Sequence, residues 1–410
     1  MTAAVIDAST LVGWREKALS MPRPTKRDEA WRYAPHSALA ELDFTLLSSA
    51  DLGGDFDAQI PQLDGPTIVI VNGVVDAARS NLDAGIDGLE LSSLADVLAS
   101  DAAQISHHYA SKLGAEPDAF KALNSAFAAD GALIRVAADT QLDAPIHIVN
   151  VSAPEADNVA TSSGVVIEVA AKSQATVVET RIGSGAAGGS SVRTTVSLGA
   201  EATLDHVILQ DAPDNQVHLC QVAATQAAGS VLNSRSFNLG AAYGRIDYAV
   251  TLEGEGAHAD LSGLYFGLGA QTLDQQINVV HAAPDCTCRQ SFRGVLDDES
   301  TGIFNGGIDV RPGADGTDAE QANDNLLLSM RADINTQPRL EILADEVACK
   351  HGATVGQLDE TALYYMRSRG IPADEARRLL ANGFADQQVD ELRIESLRGW
   401  VIDRLGHADA

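Results

Sequence analysis

The sequence predicts a mainly β protein with helical ends. Three observations carry this. Between Ala132 and Leu343, about two hundred residues, apolar and polar side chains alternate with a period of two. Turn-forming clusters interrupt that alternation at intervals of roughly 12 to 16 residues. No helical period intervenes before residue 344. That many strands exceed a comfortable open sheet, so a barrel, a sandwich or a β-helix is indicated. Spacing alone does not separate the three.

Residues 1–131 read as mixed and mainly helical. Thr67 to Val75 is a β-branched run whose Asn72-Gly73 pair favours a hairpin, because both turn residues must take positive φ. Leu91 to Leu113 places Leu94, Val97, Leu98 and Ile105 at helical intervals, with Ser93 as cap. Asp118 to Ala129 reads as a further helix, stopped by Asp130-Gly131.

In the β core, 132–343, Ile246, Tyr248, Val250 and Leu252 share one face, and Arg245, Asp247, Ala249 and Thr251 the other. Val165, Ile167 and Val169, and Leu273, Ile277 and Val279, repeat the pattern. Strands are expected to begin near Val231, Arg245, Ala257, Thr272, Cys288, Thr301 and Thr317.

Residues 344–410 form the third segment and turn helical after Gln357. Asp359 caps a helix that Gly370 closes, and Pro372 opens the next, which Asn382-Gly383 is expected to end. A last helix aligns Ile394, Leu397, Val401 and Leu405. So few apolar positions need the strands beneath them.

The chain has 410 residues, 45% of them hydrophobic, enough for a sizeable core. Lys plus Arg number 28 against 57 for Asp plus Glu, a formal charge of -29. That balance argues against nucleic acid and anionic membrane partners, and fits a solubility requirement or a surface for metals or basic partners. The start, MTAAVIDASTLVGWREKALS, is no secretory signal, and no apolar run is long enough to span a bilayer. Four cysteines make no disulfide framework, so a cytoplasmic setting is expected.

The segment ADEVACKHGATVGQLDETALYYMRSRGI, Ala344 to Ile371, holds the main chemical candidate. Cys349 and His351 lie two apart, so an extended backbone points both to one side. Thiolate and imidazole suit iron, zinc or copper, but two ligands close no site, so further donors must come from elsewhere. The plainer reading is a packed thiol and a hydrogen-bonded histidine. Other motifs favour structure. Gly183, Gly185 and Gly188 spell G-x-G-x-x-G, yet Val192 to Leu198 alternates as a strand where a dinucleotide site needs a helix. Asp297, Asp298 and Glu299 fall in a turn, and no Walker lysine motif occurs. Cys286 and Cys288 form a C-x-C assigned to packing, Cys220 to the core, and His206, His218, His258 and His281 to hydrogen-bonded strand positions. Trp31-Arg32-Tyr33 reads as a packing anchor, and Arg367 or Arg369 could meet an acidic partner.

The same 344–371 segment resembles the C-terminal signature of the SufB/SufD family of iron–sulfur cluster assembly proteins. FNGGIDVRPGADGTDAEQANDNLLLSMRADINTQPRLEI (Phe304 to Ile342), DAFKALNSAFAADGALIRV (Asp118 to Val136) and DEAWRYAP (Asp28 to Pro35) resemble it too. The CxHGATVG form and modest length are similar to the SufD branch. The resemblance implies a right-handed parallel β-helix between helical ends, and a non-enzymatic scaffold subunit. It implies a SufB-like paralogue bound through the β-helix and a SufC-like ABC ATPase on the C-terminal helices. His351, with Cys349 close by, would be a nascent-cluster or iron ligand completed by the SufB-like chain. The iron–sulfur cluster would be transient, present only in the complex and not held tightly by the isolated chain. A homodimer in the partner's absence, a SufB-like sulfur acceptor using Cys220, Cys286 or Cys288, and a β-helical carbohydrate-active enzyme stay open as alternatives.

Overall fold

A computed structural model describes residues 8–46, 56–82, 85–101 and 118–406. Its centre is a β-solenoid of about eight turns, the β-helix among the three architectures open to the sequence. From Gly131–Val136 onward successive strands go alternately to two ten-stranded sheets, and every ladder that these strands make with one another is parallel. Each turn of the chain therefore lays one strand on each sheet and climbs one rung. The strands begin at Val231, Tyr243, His258, Thr272, Thr287, Thr301 and Thr317, each within two residues of its expected start.

Why the chain turns where it does is visible at one corner. Asp139, Lys172, Glu201, Gly229, Gly256, Asp285 and Gly316 all have positive φ, and each donates its backbone N–H to a carbonyl of the following turn. The left-handed conformation reverses the chain within a residue, and glycine, asparagine and aspartate tolerate it best. Lys172 and Glu201 adopt it against that preference, held by the ladder on either side.

Alternation then sorts the side chains. Ile148, Val177, Leu204, Ile246, Val250, Leu273, Phe292, Phe304 and Ile308 fill the interior, and all are at least 98% buried. Each contributes about 1.5–3 kcal/mol by leaving water. The outer faces are covered as well. Phe120, Leu123 and Phe127 of helix Ala119–Phe127 pack with Trp31 and Phe44 on Val217, Leu219 and Tyr243. Helices Ala373–Val389 and Glu395–Gly406 seat Ala381, Ala385, Val389, Leu397, Trp400 and Val401 on Val207, Leu209, Phe237 and Leu264. The terminal helices lean on the strands, as their thin apolar stripes required.

Local signals held where nothing competed. The Asn72-Gly73 hairpin forms, with φ of 49° and 86°. Asp118 accepts from the amides of Phe120 and Lys121 and also from the Trp31 indole. Asp359 accepts from the Thr361 amide at the head of helix Glu360–Ser368, and Gly370, φ 90°, ends it.

Three expectations need correction. Asn382-Gly383 does not end its helix, which runs unbroken to Val389. Ala381 and Ala385 on either side are buried against the solenoid, and that packing outweighs the roughly 1 kcal/mol that glycine costs. Leu91 belongs to a strand, Leu89–Ser93, so the helix begins at Leu94, with the Ser93 hydroxyl accepting from the Asp96 amide. The continuation through Ile105 to Leu113 lies outside the described residues. The sheets also extend beyond 132–343. Thr67–Val71 and Leu89–Ser93 join them at one end and Val347–Gln357 at the other.

Candidate functional site

Val347–Gln357 is the last strand of one sheet and Asp333–Ile342 the last of the other. Among the described residues the first pairs only with Thr317–Leu327 and the second only with Thr301–Val310. One side of each strand therefore keeps its backbone N–H and C=O groups free for another chain. Among the described residues nothing caps this end, and residues 350 to 357 are all exposed.

Cys349 and His351 stand on that free edge. Cys349 packs against the interior aliphatic cluster, half-buried, and alternation sends His351 to the same side. Their register partners are Ala319 and Gln321. Burial raises the Cys349 thiol above its ordinary pKa, only partly offset by a backbone hydrogen bond to Ala319. A metal binding there would have to displace that proton. Among the described residues no three His, Cys, Asp or Glu side chains gather as a metal site. The edge thus offers a soft sulfur and a borderline nitrogen, the donor types iron accepts, and no complete sphere.

The remaining cysteines sit elsewhere. Cys286 and Cys288 are fully buried in the interior, and burial pushes the Cys288 thiol up to about 12. Cys220 is equally buried, its thiol pushed up to about 11 by desolvation that the nearby Arg181 only partly offsets. None presents a thiolate to solvent. Brief alkylation of the native chain should modify Cys349 and spare the other three, while denaturant should open all four. Peptide mapping that finds native labelling at Cys220, Cys286 or Cys288 would contradict this arrangement.

The strand histidines are hydrogen-bonded as expected. His206 Nε2 meets Glu179 at 2.9 Å, His218 Nδ1 meets the Ser190 hydroxyl at 2.7 Å, and His258 Nδ1 meets Thr287 at 2.6 Å. Trp31 is a packing anchor: the Arg245 guanidinium lies 3.9 Å over its ring while bonding Asp274. Gly183, Gly185 and Gly188 link two strands, with no helix following. Asp298 and Glu299 are exposed turn residues, and Glu299 pairs with Arg331. A cleft of about 750 Å³ is lined by Glu90, Arg135 and Leu198 near the first turns, far along the solenoid from Cys349.

One charged group escaped the sequence reading. Glu179 and Arg181 form an ion pair of 2.6 Å, 0% and 1% exposed, joined by the Thr194 hydroxyl and His206. The signal was there in the parity. Val177 is interior, so Glu179 and Arg181 on the same strand must be interior too.

Comparison with known proteins adds a chemical context. The family profile described as "SUF system FeS cluster assembly, SufBD core domain" matches residues 150–384, and "SufBD protein N-terminal region" matches residues 7–148. An iron–sulfur cluster assembly SufBD family protein of Synechocystis is 28% identical over 96% of this chain and 90% of its own length. The iron–sulfur cluster assembly protein SufD of Escherichia coli is 29% identical over 93% of this chain and 88% of its own. Protein ABCI7, chloroplastic, of Arabidopsis thaliana is 25% identical over 93% and 82%. No described helix is long and apolar enough to cross a membrane.

Proposed function

The chain belongs to the SufBD family of the SUF system for iron–sulfur cluster assembly, and on that premise we propose that it is the SufD-like, non-enzymatic scaffold subunit of a three-component complex. The observation that carries this reading is the open end of the solenoid. A thiol and an imidazole share one face of a strand whose outer edge is unpaired among the described residues. A SufB-like chain adding a strand there would cover the edge and bring the missing donors to the cluster being built. The cluster is cargo: His351 holds it through a nitrogen that releases iron more readily than thiolate would, and Cys349 stands beside it.

The C-terminal helices dock a SufC-like ABC ATPase. Tyr364 and Tyr365 of helix Glu360–Ser368 are 74% and 58% exposed, directly after the edge strand, so ATP-driven movement there would be felt at Cys349 and His351. The sealed, protonated thiols of Cys220, Cys286 and Cys288 favour this reading over a sulfur-accepting one.

Tagged chain, co-expressed with a SufB-like and a SufC-like protein, should retain both through size-exclusion chromatography. Elution of the tagged chain alone, or only as its own dimer, in their presence would overturn the scaffold assignment.

A further inference from the structure

The residue directly behind His351 is Gln321, its register partner on the neighbouring strand, and behind that stands Gln290. Both glutamines are 1% exposed. Gln321 Nε2 donates to Gln290 Oε1 at 2.5 Å, and Gln290 Nε2 donates to the Gly307 carbonyl at 3.3 Å. A Cβ at Gly306 would lie 2.2 Å from Gln321 Nε2, so the glycine keeps room for the amide and helps to pin it. The other arm of that amide, Oε1, is buried and has no hydrogen-bond partner among the described residues. A buried acceptor left unmatched costs about 1–3 kcal/mol, so its persistence calls for a donor.

The solenoid itself shows which donor. His218 Nδ1 meets Ser190 at 2.7 Å, His206 Nδ1 meets Ser234 at 3.0 Å and His258 Nδ1 meets Thr287 at 2.6 Å. In these three the partner occupies the histidine's own register position on the adjacent strand, whereas His147 and His281 meet Thr180 and Thr317 off register. One rung of a sheet, about 4.8 Å, sets that reach. His351 and Gln321 share that register relation, although the bond is not made in this structure.

We propose that Gln321 is a positioning residue: its free Oε1 accepts the Nδ1–H of His351 and so leaves Nε2 unprotonated and turned toward the metal. Histidines that ligate metals commonly donate their second nitrogen to a carbonyl or carboxylate in this way, which fixes both tautomer and ring orientation. The Gln290–Gln321 ladder would tie an exposed ring to the core. This inference rests on the scaffold reading of His351.

The test uses the full-length chain labelled with nitrogen-15 histidine, the His351 resonances being identified by their loss in His351→Gln. Wild type should show mainly the Nδ1–H tautomer. Gln321→Met, of similar length but without an acceptor, should move His351 to the Nε2–H form that free imidazole prefers. In the complex Gln321→Met should lower cluster yield about tenfold. A wild-type His351 mainly in the Nε2–H form overturns the proposal whether or not the variants fold. So does a tautomer that Gln321→Met leaves unchanged. The two readings fail differently. If His351→Ala leaves cluster yield intact, the scaffold role of His351 falls. If it abolishes yield while the tautomer ignores residue 321, only the role of Gln321 falls.

Discussion

Replacing His351 with alanine is expected to reduce cluster formation by the assembled complex at least tenfold while leaving the subunit folded. The size of the loss follows from the site's incompleteness. When one chain supplies only a thiol and an imidazole, removing the imidazole takes half of its contribution, and even changes around ligands commonly cost 10- to 100-fold, an order-of-magnitude guide. The fold should survive. His351 is exposed on an edge strand, so its loss should cost at most the hydrogen bond proposed to Gln321, about 1–3 kcal/mol. Iron and acid-labile sulfide in the purified complex, together with a urea midpoint for the isolated variant, separate the two effects. A folded His351→Ala complex with wild-type cluster content would show that the edge histidine holds no cluster.

The largest expected effect on stability lies deep in the interior. Glu179→Ala should destabilise the chain by about 3–5 kcal/mol, because it leaves the Arg181 guanidinium buried without its counter-charge. Two nitrogens of Arg181, Nε and Nη1, already have no hydrogen-bond partner, so the ion pair carries most of that charge's compensation. Glu179→Leu with Arg181→Leu should recover much of the loss, since two apolar side chains owe no desolvation penalty. The pH dependence has a definite sign. Burial raises the Glu179 carboxyl, but Arg181 and His206 outweigh it and hold the group well below the usual carboxylate range. Its contribution is therefore complete above the unfolded value of about 4.3 and is lost as pH falls below that toward the folded one. Urea unfolding at neutral pH is the measurement. A Glu179→Ala midpoint equal to wild type would mean that the pair is already screened by water.

Much of this was legible from local chemistry. The alternation that placed Ile246, Tyr248 and Val250 on one face is the alternation that buries them. The spacing of Cys349 and His351 foretold their common side, because the pleat repeats every second residue whatever the topology. The illegible parts share a cause. Asn382-Gly383 looked like a stop because the sequence does not show the solenoid face that holds Ala381 and Ala385 in helix. Glu179 and Arg181 went unremarked because charged residues are seldom found inside, although their parity with Val177 puts them there.

The sequence by itself determined the strands, the hairpin at Asn72-Gly73, the helix caps at Asp118 and Asp359, and the pairing of a sulfur with a nitrogen donor near residue 350. Each depends on φ/ψ preference or on contacts within a few residues. Only the tertiary structure decided that the strands coil instead of closing into a sandwich, that Gln321 stands behind His351, and that Cys349 lies on a strand with an edge left open among the described residues. Those outcomes depend on register between residues about thirty positions apart, such as Gln290, Gln321 and His351. A period of two is the same in every sheet, and only packing one turn upon the next selects the neighbour.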